Sequence, residues 1–265
     1  MTSVHSNNQE YQSRPLLSKT EGLLLATTAS SAILSPLPYI GKSFQQQLNK
    51  EIPNNHLFKD SFFNALNISG LDKKGVRIIE AQHCIDAPLE YKLGQQASYN
   101  PVSRKILLNT NKIASAGFHE LGHAMNNLKS KFGIKYIAKL RLPGYFIAGL
   151  MEYYAIFFRN KPKDAPKTFT DKIEDNCGKI AFFAMLPTVI EEAVASYRGI
   201  NLAKKAGVEK PLIKSMKKIY LKAHTTYSAK AVLGGLAVYA SRKIMDYFTR
   251  PRPVEEPLQS TFFFR

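Results

Sequence analysis

The stretch Phe118-His119-Glu120-Leu121-Gly122-His123 decides the reading of this chain. Two histidines four positions apart project from one face of a helix, so both imidazoles can reach a single ion. Glu120 between them sits about 100° round the same helix, where its carboxylate can touch a water beside the ion without binding the ion itself. Phe118, Leu121, Gly122 and Ala124 around them are apolar or small, which argues for a buried face rather than a solvated one. The pattern is a metal pair plus a base, and what it can do depends on a third ligand.

A hydrolytic zinc centre takes three protein ligands and keeps a fourth position open for water. One continuation of the motif places Gly and a third His downstream on the same run, but Asn126 and Lys129 stand there. The other continuation takes a glutamate from a second helix. Ile190-Glu191-Glu192-Ala193-Val194-Ala195-Ser196 offers an acid pair followed by small residues, which allow two helices to approach closely. Glu192 is the ligand chosen from the pair. The plainer reading is a solvated acid pair at a helix start, where carboxylates suit the macrodipole.

Together these motifs resemble the gluzincin class of zinc metallopeptidases, whose third ligand is a glutamate in a motif like N-E-x-x-S-D or E-x-x-A-D. The resemblance covers residues 97–196. Aligned on Glu192, Ser196 falls where that class has an aspartate orienting one histidine, and such partners tune metal affinity by roughly 10–100-fold. The wide gap between His123 and Glu192, holding two apolar stretches, is similar to the membrane-inserted HtpX and CAAX prenyl protease-like enzymes. The resemblance implies a zincin-like core, one Zn2+ on His119, His123 and Glu192, and Glu120 as general base on the attacking water. It also implies a protein or peptide substrate, laid as an added strand along a hairpin at residues 97–109. An oxyanion donor is needed, with His224, Tyr227 and Tyr197 all open. A non-catalytic, membrane-associated interaction protein keeping a zincin-like fold is the alternative, although such a protein has no need of Glu120.

With 265 residues and 45% apolar side chains, the chain suits one elaborated α+β domain, mainly helical. Residues 1–20 read as a flexible polar tail, 21–248 as the domain and 249–265 as a Pro-rich tail. Val76–Ala81 and a hairpin from Ala97 to Asn109, turning at Asn100-Pro101-Val102-Ser103, form a small sheet before the site helix. Thr110 or Asn111 caps that helix, which spans roughly residues 112–132 and stops at Gly133. Asp60–Leu71 reads as a short helix ending at Gly70, and Pro211 opens a basic helix over residues 211–225. Gly22–Gly41 carries no charge, but Pro36 and Pro38 leave about fourteen helix-competent residues, short of the ~20 needed to cross a bilayer. Leu142–Phe158 is broken only by Glu152, while Ile180–Ile190, with Pro187, and Ala231–Ser241, with Gly234-Gly235, are uncharged.

A net charge of +17 attracts nucleic acid, acidic partners or anionic lipid alike. The chain shows no zinc finger, no helix-turn-helix and no basic stripe interleaved with aromatics, so nucleic acid is not expected. Association with anionic lipid is. Lysines 204, 205, 214, 217 and 218 suit either a solvated face or lipid headgroups. Cys84 and Cys177 follow no ligand spacing and suit two thiols in a reducing compartment or a single bridge. Because His123 and Glu192 must meet, the bilayer crossings between them are even in number. The far segment 159–175 holds five Lys/Arg against five and eight in segments 127–141 and 198–222, which puts the site in the cytoplasm. Crossing helices, a buried hairpin and a helix lying on the membrane surface all fit the lengths.

Overall fold

Apolar runs become helices here even where proline interrupts them. In a computed structural model describing residues 15–50, 55–80, 97–109, 114–130, 132–157 and 166–249, the chain is mostly helical with one small sheet. The first helix, α1 (Lys19–Leu34), opens on a capping box in which Ser18 and Glu21 bond each other's backbone N–H. Helix α2 (Leu37–Asn49) follows almost without a break, because Pro36 lies at φ −71° and ψ −21° and carries the helical path onward. The expected stop at Pro36 and Pro38 is therefore corrected. Lys19–Asn49 is a helical run of 31 residues, long and apolar enough to cross a membrane. A proline in the first helical turn gives up an N–H that has no partner there anyway.

Helix α3 (Asn55–Ser69) ends at Gly70, whose φ of 58° closes it as the sequence suggests. Strands β1 (Arg77–Glu80), β2 (Ala97–Asn100) and β3 (Lys105–Leu108) make a sheet of order β1-β3-β2. β3 pairs parallel with β1 and antiparallel with β2, so the expected hairpin is present. Its turn is held by the Asn100 side-chain oxygen, which accepts from the Val102 and Ser103 N–H groups at 2.9 and 3.0 Å.

Helix α4 (Ala114–Leu128) carries the histidines. It ends at Leu128, and Gly133 lies inside the next helix, α5 (Phe132–Lys139), instead of stopping α4. The proposed caps Thr110 and Asn111 lie outside the described residues, as do Cys84 and most of both tails. Then come α6 (Arg141–Phe157), α7 (Phe169–Asp175), α8 (Cys177–Lys205) and α9 (Lys210–Thr249). The eleven-residue run Ile180–Ile190 is thus the middle of a 29-residue helix that continues past Pro187, also long and apolar enough to cross a membrane. The basic helix begun at Pro211 extends to forty residues and takes in Ala231–Ser241.

Two cores follow from this arrangement. One joins the sheet to α3, α4 and the adjoining halves of α8 and α9, with Phe118 of α4 set edge-on between Phe58 and Phe62 at 6.2 and 5.8 Å. The other lies between α6, α8 and α9 around Met151, Ala155, Ala181 and Val238, with the free, buried Cys177. Helix α1 packs along α9, where Gly22 meets Met245 and Thr249.

The contact that positions the site is between α4 and α8. Gly122 lies against the Ala195 carbonyl and Gly199 against the Phe118 carbonyl, so the two backbones touch. A Cβ at Gly122 has no flexible neighbour to displace. Gly122→Ala should destabilise the fold by about 1–3 kcal/mol, the usual cost of overpacking, and weaken metal retention by separating the helices. Gly133→Ala, which meets nothing within 4 Å, should be neutral or slightly stabilising. Thermal melts and metal content of the two variants check this; equal melting points would contradict it.

Candidate metal centre

Because α4 and α8 lie backbone to backbone, the acid pair of α8 faces the histidine pair of α4. His119 Nε2 lies 3.0 Å from Glu192 Oε2 and 3.0 Å from His123 Nε2, and His123 Nε2 lies 3.5 Å from the same Glu192 oxygen. Two nitrogens and one oxygen thus point at one another. His119, Glu120 and His123, and likewise His123, Glu191 and Glu192, bring ligand atoms within 4.8 Å of each other, so the site can hold a metal ion. The four predicted residues His119, Glu120, His123 and Glu192 come together.

Each inward-pointing side chain has a second contact that fixes it. His119 Nδ1 lies 3.2 Å from Ser196 Oγ, the position where the sequence suggested a weak orienting partner. His123 Nδ1 lies 2.7 Å from Glu191 Oε1. Were Nε2 of each ring to act as a ligand, Nδ1 of each would carry the hydrogen and donate, an arrangement that raises imidazole basicity. The Glu191 contact was not legible in the sequence, where it was merely the other acid of a pair. Asn126 supports Glu191, its side-chain nitrogen donating to Oε1 at 2.9 Å.

Arg141, the first residue of α6, is the second residue that sequence reading missed. Its Nη1 donates to Glu191 Oε2 and its Nη2 to Glu192 Oε1, both at 2.7 Å. One planar guanidinium therefore ties down the outer oxygen of each acid and leaves the inner oxygens for the histidine side. The two carboxylates are 2% and 3% exposed, so their charges need such partners.

The site floors a cleft of about 850 Å³ lined by α2, β2, α4, α5, α6, α8 and α9. Glu120 lines it, as do Ala97, Ser98 and Tyr99 of β2. Among the described residues β2 pairs only with β3, so it is an outer strand. Of the three oxyanion candidates Tyr227 reaches the cleft; burial, then the Glu192 charge, push its hydroxyl pKa well up, so it remains a donor. Tyr197 is two-thirds exposed on α8 and does not line the cleft, and neither does His224. Tyr220 was not foreseen. Its ring tilts against His119 at 5.5 Å and its hydroxyl donates to the Ser115 carbonyl at 2.7 Å.

No protein-family model, curated protein or solved structure matches the chain, so the site is read from its own geometry.

Burial alone would lower the His123 pKa, but the Glu192 charge and hydrogen bonds with Glu191 and Glu192 outweigh it and hold it well above the usual 6.5. A raised pKa keeps the proton on the ring as pH climbs past 6.5, and a metal must displace that proton. Apparent affinity for added zinc should therefore rise with pH above 6.5 and fall towards pH 6, each displaced proton contributing up to about tenfold per pH unit. Competition against a chelator measures it; a flat profile from pH 6 to 8 would contradict the assignment. Arg141→Met should lower zinc affinity by roughly 10–100-fold, as losses of ligand-orienting partners do.

Proposed function

We propose that this protein is a zinc-dependent endopeptidase that hydrolyses peptide bonds of protein substrates at a membrane. The observation that carries the reading is the triangle formed by His119 Nε2, His123 Nε2 and Glu192 Oε2, with sides of 3.0, 3.0 and 3.5 Å. The circle through those atoms has a radius of about 1.8 Å, just under the zinc–ligand length of roughly 2.0–2.2 Å. That spacing fits one ion, which His119, His123 and Glu192 would hold. Two imidazoles and a carboxylate are also a donor set that suits zinc. Charge supports the same reading. A divalent ion and Arg141 together offset Glu120, Glu191 and Glu192, with both histidines neutral.

When bound, zinc polarises the scissile carbonyl and makes the attacking water more acidic. Glu120, one residue from His119 and lining the cleft, takes the water's proton as its oxygen attacks the carbonyl carbon. The same carboxylic acid then gives a proton to the leaving amine nitrogen as the C–N bond breaks. Tyr227 supplies a hydroxyl donor on the cleft wall for the developing oxyanion. β2 offers its outer edge to the substrate backbone, the augmentation expected of the 97–109 hairpin. Membrane association is supported by the two long apolar helical runs, and the basic excess suits anionic lipid. The larger Lys/Arg count of segment 198–222 favours a cytoplasmic site.

Purified wild-type protein should hold one zinc per chain, and His119→Ala and Glu192→Ala should hold little. Glu120→Gln should keep the zinc and lose at least about 100-fold in cleavage of an unfolded protein substrate, the low end for a lost general base. Wild type without stoichiometric zinc, or Glu120→Gln cleaving at the wild-type rate, would remove the enzyme reading.

A further inference from the structure

We propose that α1, α6, the N-terminal half of α8 and the C-terminal half of α9 cross the lipid bilayer together as one four-helix bundle, with the metal centre at the membrane–water boundary at one end. This deepens the membrane placement above and depends on no catalytic step.

The outer surface of the bundle is apolar as well as its interior. Glu152 of α6 faces inward and accepts from Ser30 of α1 at 3.2 Å and from Ser241 of α9 at 3.0 Å, whereas the long side chains of Lys179 and Lys243 are exposed. Arg242 is 8% exposed and pairs with the buried Glu174 at 2.8 Å. Large apolar side chains face outward, with Leu24, Phe146, Phe183 and Leu236, one on each helix, exposed by 68, 67, 62 and 49%. Water would leave so much apolar surface unfavourable, whereas acyl chains suit it and charges inside a membrane are expected to pair inward. A second copy of the chain would cover one side of the bundle; this surface involves all four helices.

The four apolar segments also overlap along the bundle, the Ile190 end of α8 reaching at least one turn beyond Leu142 and Ala231. Ser30 meets Ala237 and Ser241, Gly144 meets Ala184, and Gly178 meets Gly235, which fixes α1, α6, α8 and α9 in register. The outward row of α6, Leu142 to Phe157, spans about 24 Å, and Ala231 to Thr249 of α9 about 28 Å, at 1.5 Å per residue. Both approach the ~30 Å of a hydrocarbon core. Within the α9 segment, Lys243 lays its ammonium over the Tyr239 ring at 5.5 Å, a side chain able to snorkel.

Three helices place the site at the edge of this band independently. Arg141 immediately precedes Leu142, Glu191 immediately follows Ile190, and Tyr227 lies one turn before Ala231. Lys139, Arg141 and Lys230 stand at that edge, at headgroup level. Lys204 is about 21 Å further along α8 from Ile190, so the exposed lysines around it belong to the water-facing end, not to the lipid contact.

The chain has no tryptophan, so single replacements report depth directly. Phe146→Trp, Phe183→Trp, Leu236→Trp and Leu142→Trp, with Val102→Trp as the water-side control, would be made in the full chain. Each would be reconstituted into phosphatidylcholine–phosphatidylglycerol vesicles brominated at defined acyl positions. The proposal expects the first three to be quenched at least about twofold by mid-chain bromines, Leu142→Trp most by bromines near the headgroup, and Val102→Trp by aqueous iodide alone. Bundle positions quenched only by iodide would overturn it in favour of a water-facing bundle. Quenching by neither agent would overturn it in favour of a second copy covering the surface. Leu142→Trp quenched most by mid-chain bromines would remove the boundary placement. Quenching needs no metal, so failure of the zinc reading would leave this result intact and distinguishable.

Discussion

Two adjacent carboxylates, Glu191 and Glu192, are buried side by side, and the site is organised by what that burial requires. Neither can give up its charge to solvent, and neither is left without a cation or ring donor. Arg141 takes one oxygen from each, and the histidine pair takes the others. Such an arrangement is costly to assemble without a purpose, because buried ion pairs seldom repay their desolvation. A divalent ion at the triangle would turn this mutual neutralisation into a coordination sphere, with Glu191 holding one imidazole and Arg141 holding the ligand carboxylate. Glu192 is then held to a single inner oxygen, the other being engaged by the guanidinium.

That constraint is met only because α4 and α8 approach at backbone distance. Gly122, Ala195 and Gly199 form the contact, and a larger side chain at either glycine would lift the acids away from the rings. The same close packing recurs below the site at Gly144 on Ala184 and Gly178 on Gly235, so small residues fasten the apolar bundle as well as the metal-capable end. α8 is common to both: its C-terminal half carries Glu191, Glu192 and Ser196, and its N-terminal half lies in the bundle. Pro187 sits between them without ending the helix.

The histidine pair, the intervening glutamate and the third acid were legible because their chemistry imposes a spacing, four residues on one helix and small neighbours on the other. The hairpin was legible from its Asn-Pro turn. Arg141 was not, since a basic residue at the head of an apolar helix reads as a boundary charge; only the fold shows it reaching two carboxylates across to α8. Glu191 was missed for a related reason. Neighbours on a helix lie about 100° apart, so a pair of acids is expected to divide between faces, yet Glu191 reaches His123 from one side while Glu192 reaches His119 from the other. Helix lengths were underestimated at Pro36 and Pro38, where local stop signals gave way to helical proline geometry, and at Ile180–Ile190, an uncharged run whose helix continues beyond Lys179 and Glu191. Gly133 shows the converse, a permissive residue absorbed into a helix it was expected to end.

X-ray absorption at the zinc K-edge of the purified full-length protein tests the central claim most directly, because it sees the ligands rather than their consequences. The account expects a four-coordinate shell of nitrogen and oxygen at about 2.0–2.1 Å, with outer-shell scattering from two imidazoles. A six-coordinate oxygen shell without imidazole scattering would contradict it.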